Sequence, residues 1–142
     1  MEKEYKLAEQ YHLQGNNCIE SVLKTCNDTM NLQLPDVAIR MASGMGGGIG
    51  RSGCVCGALS GACLVIGALV GRLTPDEKPL PEVYKYTSEF HDRFKEHFGA
   101  TCCRALNTLS FGTPEYRKHC IKITATAADM VSDFVAEKVL LK

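Results

Sequence analysis

Cysteine is the residue type that stands out. The chain has 142 residues and eight cysteines, at positions 18, 26, 54, 56, 63, 102, 103 and 120. Disulfides are disfavoured in a reducing compartment, so this density there reads as metal or redox chemistry. Free cysteine is also among the most buried residue types, and about half of the eight are expected to be plain core residues. Three cysteines fall where packing alone does not ask for them. Cys56 is predicted at the start of an apolar helix, Cys18 at the start of another, and Cys103 near the start of a short one. A helix N-terminus favours the thiolate, the form that binds metals and attacks disulfides. Cys120 lies within the last predicted helix and would project inward to meet them. Four thiolates from four separated segments suit zinc or an iron–sulfur cluster. Their spacing has neither the paired C-x2-C knuckles of a zinc ribbon nor a ferredoxin pattern, and it leaves the metal open.

The other four cysteines read differently. Cys26 and Cys63 sit at core positions of apolar helices and behave as small hydrophobes. Cys54 is a spare ligand or a resolving thiol. Cys102, beside Cys103, is a second spare ligand or offers a strained vicinal disulfide, although neighbouring free thiols suit a reducing cell better. Arg104 either stabilises an adjacent thiolate or is solvated.

Just before Cys54 and Cys56 lies a run with six glycines in ten residues, Gly44 to Gly53. Such a run holds no regular structure cheaply. Gly48-Ile49-Gly50-Arg51-Ser52-Gly53 matches G-x-G-x-x-G, but a dinucleotide site needs a preceding strand, and helix is predicted there. A phosphate-binding P-loop fails at Met45 and Arg51, where glycine and lysine are required. Two readings remain: a tight turn between packed helices, or backbone N–H groups of Gly46, Gly47, Gly48, Gly50 and Gly57 surrounding an anionic metal–sulfur cluster. Acid–base machinery is thin. His12, His91, His97 and His119 are scattered, and His119 reads as a surface residue rather than a ligand.

The elements that would position these residues are helical. Apolar periodicity predicts helices over 3–14, 18–28, 35–43, 57–73, 82–98, 101–109 and 114–139. Gly15 and Gly99 are stops. Asn17 with Glu20 is a capping box, and Pro35 suits a first turn. The 57–73 segment is apolar almost all round and reads as a buried central helix. Its glycines, Gly57, Gly61, Gly67 and Gly71, would let neighbouring helices approach closely. No β-alternation or repeat is evident. The prediction is an all-α single domain over 1–142, a helical bundle around the buried central helix with the glycine-rich loop before it.

Bulk properties exclude some functions. Sixteen basic residues balance sixteen acidic ones, so nothing marks a nucleic-acid or anionic-membrane binder. The longest apolar run, Ala62 to Val70, is far short of the roughly 20 residues of a membrane span. The N-terminus lacks a signal-peptide pattern, and a cytoplasmic location is the expectation.

Taken in order, Asn17-Cys18, Gly44 to Gly50, Cys56-Gly57-Ala58-Leu59-Ser60-Gly61-Ala62, Phe98-Gly99, Cys103-Arg104 and Cys120 resemble the C_GCAxxG_C_C family of redox-active proteins over nearly the whole chain. The core here reads Cys-Gly-Ala, where the family name writes Gly-Cys-Ala. The resemblance implies that Cys18, Cys56, Cys103 and Cys120 are the family cysteines and that the role is redox, with an iron–sulfur centre proposed for some relatives. The leading expectation is an iron–sulfur protein for electron transfer or redox sensing, working with an unidentified redox partner and allowed to be a homo-oligomer. The alternatives are a metal-free thiol–disulfide protein, and a structural zinc or cofactor-free helical interaction module.

Overall fold

Apolar residues at helical spacing set the elements, and glycine, proline and asparagine end them. The computed structural model describes residues 2–140. Helix α1 spans Glu2–Leu13, and Gly15 follows in the left-handed region (φ +109°). Helix α2 spans Cys18–Met30 and begins at the expected capping box. Asn17 Oδ1 accepts the Glu20 N–H at 2.9 Å, and the Glu20 carboxylate accepts the Asn17 N–H at 3.0 Å. The same asparagine reaches further, its Nδ2 donating to the Ser43 carbonyl at 2.9 Å. That bond ties the start of α2 to the end of α3 (Asp36–Ala42). Asn17→Ala is therefore expected to lower stability by about 1–2 kcal/mol, near the top of the range for cap removal. The midpoint of urea unfolding measures this, and an unchanged midpoint would contradict it.

After α3 come a 3-10 turn, Ser43–Met45, and a single helical turn, α4 (Gly46–Ile49). Then follow α5 (Gly57–Val70), α6 (Leu80–Phe98), α7 (Cys103–Leu106) and α8 (Pro114–Phe134), which continues as a π-helical turn over Val135–Val139. No strand occurs among the described residues. An isolated antiparallel bridge pairs Val55 with Cys102. The predicted all-α single domain is what forms. Some boundaries differ. Helix α6 starts at Leu80 rather than Glu82, because proline is tolerated in a first turn, where Pro81 sits. Helix α7 is one turn rather than the predicted 101–109.

Helix α5 packs against α2, α6 and α8, while α1 lies mainly on α8 and α2. The core between them holds Ile19, Val22, Leu59, Val65, Ile66, Phe90, Phe94 and Phe134, all nearly or fully buried. Phe90 and Phe134 meet edge to face at 5.5 Å between ring centres. Gly61 lets α2 approach, since a Cβ there would stand 3.2 Å from Ile19 Cγ1 and 3.3 Å from Val22 Cβ. Gly67 and Gly71 do not serve this purpose. Nothing lies within 4 Å of a Cβ at Gly67, and at Gly71 the nearest atoms belong to Gly67 of the same helix. Nor is α5 buried all round. Leu64 is 48% exposed on a face beside the exposed Met41, because the short α3 does not cover it. No helix among the described residues is long and apolar enough to cross a membrane.

Candidate functional site

Four segments meet at one end of the bundle. Cys18 is the first residue of α2, and the Asn17 cap holds it there. Cys56 is the N-cap of α5, with extended backbone (φ −62°, ψ 131°). The stretch before it lies beside the stretch before α7. The Cys56 N–H donates to the Thr101 carbonyl at 2.8 Å, the Cys103 N–H to Cys54 at 2.6 Å, and the Arg104 N–H to Gly53 at 3.3 Å. This short ladder brings Cys103 beside Cys56. Cys120 arrives from the second turn of α8.

The glycine loop closes the arrangement. Gly47, Gly48 and Gly50 have φ of +67°, +70° and +58°, a region costly for other L residues. The Gly53 and Cys54 N–H groups donate back to the Gly47 and Gly48 carbonyls at 3.2 and 3.1 Å. At Gly57 a Cβ would lie 2.3 Å from Cys18 Sγ, so only glycine lets α5 reach that sulfur.

Cys18, Cys56, Cys103 and Cys120 all line one cavity of about 390 Å³. Gly46, Gly47, Gly50 and Gly57 line it too. Gly48 does not; it is buried beneath, against Cys54 and Cys103. Neither candidate extra ligand, Cys54 or Cys102, lines the cavity. Cys54 is exposed, and Cys102 sits in the bridge. Cys102 is the extended N-cap of α7 and Cys103 its first helical residue, and only Cys103 turns to the cavity. Cys26 is fully buried in the apolar core, and Cys63 packs against that core from an apolar groove. All eight are free thiols. His119 is exposed, with its Nε2 3.0 Å from the Leu106 carbonyl, and does not line the cysteine cavity. No three His, Cys, Asp or Glu side chains among the described residues stand close enough to share a single ion.

The electrostatics correct one expectation. Cys56 is not the thiolate its helix start suggested. Burial first, then Cys18 nearby, pushes it up to about 12, and the Ala58 and Leu59 amides oppose this without closing a cap hydrogen bond. The acidic thiol is Cys18, lowered from 9.0 to about 6. A hydrogen bond from Cys120 is the largest cause, and the Gly47 and Ile19 amides add to it. Cys120 is raised, first by the same bond, so the two thiols ionise as a pair. Three further groups were not singled out as site residues in the sequence. The Tyr116 hydroxyl lies 3.4 Å from Cys103 Sγ, and burial, then that sulfur, raises its pKa. Its spacing of four residues from Cys120 on one helix face was the available signal. His12 and Phe111 also line the cavity, and neither carries a local sequence mark.

Among the thiols of the cavity, reduced, metal-free protein is therefore expected to alkylate at Cys18 before Cys56 or Cys120, with a rate rising through pH about 6. Cys26 and Cys63, pushed by burial to about 12 and about 11, should stay inert at neutral pH. Peptide mass mapping reads this, and Cys63 reacting first would contradict it. The stability sign follows. Cys18 is depressed in the folded state, so its contribution is present above pH 9.0 and lost as pH falls through about 6. Cys26 and Cys56 are raised, so theirs is present below pH 9.0 and lost as pH rises through about 12.

A family model described as "Putative redox-active protein (C_GCAxxG_C_C)" matches residues 16–134. A protein of Archaeoglobus fulgidus, described as "Uncharacterized protein", is 30% identical over 122 residues, covering 80% of this chain and 81% of that one. No solved structure matches.

Proposed function

The chain belongs to the C_GCAxxG_C_C family, and on that premise we propose that Cys18, Cys56, Cys103 and Cys120 hold an iron–sulfur cluster for electron transfer or redox sensing. The observation that supports this is the convergence of all four on one cavity of about 390 Å³. A disulfide draws two sulfurs to about 2.05 Å and needs no such space. A single zinc, with sulfurs about 2.3 Å away, would leave most of it empty. Four thiols around an open volume suit a cluster, whose usual ligand set is four cysteines.

The residues present fit that group. Four sulfurs supply the ligands, and Gly57 leaves Cys18 Sγ clear where a Cβ would stand 2.3 Å away. When bound, the cluster would supply one-electron chemistry. The chain supplies the surroundings. The Gly47 amide favours negative charge on Cys18, the Ala58 and Leu59 amides favour it on Cys56, and the Tyr116 hydroxyl meets Cys103. Such donors stabilise the reduced, more negative state and so raise the potential. Cys56, only 7% exposed, is screened from water by the helix starts around it. An external redox partner would complete the electron path.

Anaerobic purification and cluster reconstitution, followed by visible absorbance and iron and sulfide analysis, test the proposal. A coloured protein with matching iron and sulfide is the expected result. A colourless, iron-free protein would overturn it. A second reading, a metal-free dithiol centre, is favoured by the Cys18–Cys120 hydrogen bond. That pair would lose two electrons and two protons to an external oxidant on forming a disulfide. Thiol titration of iron-free protein with and without reductant separates the two, since only the dithiol centre recovers two thiols.

A further inference from the structure

The cysteine cavity adjoins a second, wider space of about 840 Å³. The two share His12, Asn17, Arg51, Phe111, Tyr116 and Cys120, so this outer space is a vestibule to the sulfurs. Its outer wall adds Arg117, Lys118 and Thr113, the N-cap of α8. No aspartate or glutamate lines either space, although the chain has as many acids as bases. Glu115, in the same first turn of α8, is exposed and lines neither. The Arg51 guanidinium lies 4.1 Å from the Phe111 ring centre, and Arg117 donates to the His12 and Leu13 carbonyls at 2.9 and 3.3 Å. Among the described residues none of Arg51, Arg117 and Lys118 pairs with a carboxylate.

His12 is the second, independent mark. It is 8% exposed, and both ring nitrogens are buried with no hydrogen-bond partner. Buried polar groups are normally paired, and leaving one unpaired is costly. The residue lines both spaces, and a modest turn of its ring would bring a nitrogen to a bound molecule as the missing partner. His12 also lies before the family match, which begins at residue 16, so family membership does not explain it.

We propose that the vestibule binds a small anionic molecule bearing a carboxylate or phosphate group, seated between Arg51, Lys118 and the start of α8, with His12 hydrogen-bonded to its inner end. The volume lies in the range of small-molecule sites. Three cations without a carboxylate partner and a helix N-terminus favour negative charge. The molecule's inner end would lie beside Cys120, which makes it a substrate or effector of the redox centre. That role rests on the reading of the cysteine cavity; the binding does not.

Isothermal titration of the reduced full chain, iron-loaded and metal-free, with inorganic phosphate and separately with succinate tests it. Saturable binding of at least one probe to both forms is expected, weakening as salt rises. Arg51→Gln and Lys118→Gln are each expected to lower affinity about tenfold, the scale of one charged hydrogen bond. His12→Gln should weaken binding while leaving the salt dependence in place. No saturable heat with either probe, or unchanged affinity in both cation variants, would overturn the proposal. Iron content measured on the same samples separates the two readings. Binding to a chain that never takes up iron would sink the cluster alone, and absent binding to an iron-loaded chain would sink the vestibule alone.

Discussion

Replacing Gly48 by alanine is expected to destabilise the protein by about 2–5 kcal/mol, the sum of two effects. The first is backbone strain. Gly48 has φ +70°, and a left-handed conformation costs an L residue about 1–2 kcal/mol. The second is overpacking, at about 1–3 kcal/mol. An alanine Cβ would lie 2.5 Å from the Cys54 nitrogen and 2.9 Å from Cys103 Cβ, and the nitrogen belongs to backbone already held by the loop. The controls lie in the same loop. Gly50 shares the strain (φ +58°), but its nearest neighbour would be 3.9 Å away, so Gly50→Ala should cost only about 1–2 kcal/mol. Gly44 has neither a positive φ nor anything within 4 Å, and Gly44→Ala should be near neutral. Urea unfolding of the reduced, metal-free chain measures the order. Equal effects at 48 and 44 would mean that the loop does not pack against the Cys54 and Cys103 segments as described.

The second large effect concerns the proposed cluster and its iron. Cys18→Ser, Cys56→Ser, Cys103→Ser and Cys120→Ser are each expected to lower iron retention by more than tenfold. Even residues that only orient ligands cost about 10- to 100-fold in metal affinity. Serine keeps the size but replaces a soft sulfur with a hard oxygen. Cys54→Ala and Cys102→Ala should retain iron, since neither residue lines the cavity. Cys26→Ala and Cys63→Ala should also retain it, with a loss of stability that is larger at the fully buried Cys26. Iron and sulfide analysis after anaerobic reconstitution reads all eight. Loss of iron in Cys54→Ala or Cys102→Ala, with full retention in Cys103→Ser, would reassign the fourth ligand.

Helix placement was legible because its causes are local. The capping box at Asn17, the stops at Gly15 and Gly99 and the apolar periodicity of the 82–98 segment each act within a turn or two of chain. The same local logic separated Cys26 and Cys63 from the other cysteines, since both lie on apolar helix faces. It also placed Cys18, Cys56 and Cys103 at helix starts. The choice of Cys103 over Cys102 rested on the resemblance, and the structure brings the same residue to the cavity.

Other features had no local cause. Which thiol is acidic depends on burial and on partners far along the chain. Cys56 and Cys18 both begin helices, yet burial raises one, and the Cys120 hydrogen bond lowers the other. Gly48 looked like a cavity wall and is instead a packing contact, decided by how the 53–56 and 101–104 stretches pair. The exposed face of α5 was hidden because a hydrophobic run does not say which neighbours are long enough to cover it. His12, Tyr116, Arg51 and Phe111 meet across more than a hundred residues, and no periodicity marks such a meeting. Chain chemistry along a helix therefore decided the elements and put Cys18, Cys56 and Cys103 at their starts, because hydrogen bonds and apolar faces repeat over a few residues. Only the packing of those helices decided the cavity, its charge and the order in which its thiols ionise, because desolvation and long-range contacts exist only once distant segments touch.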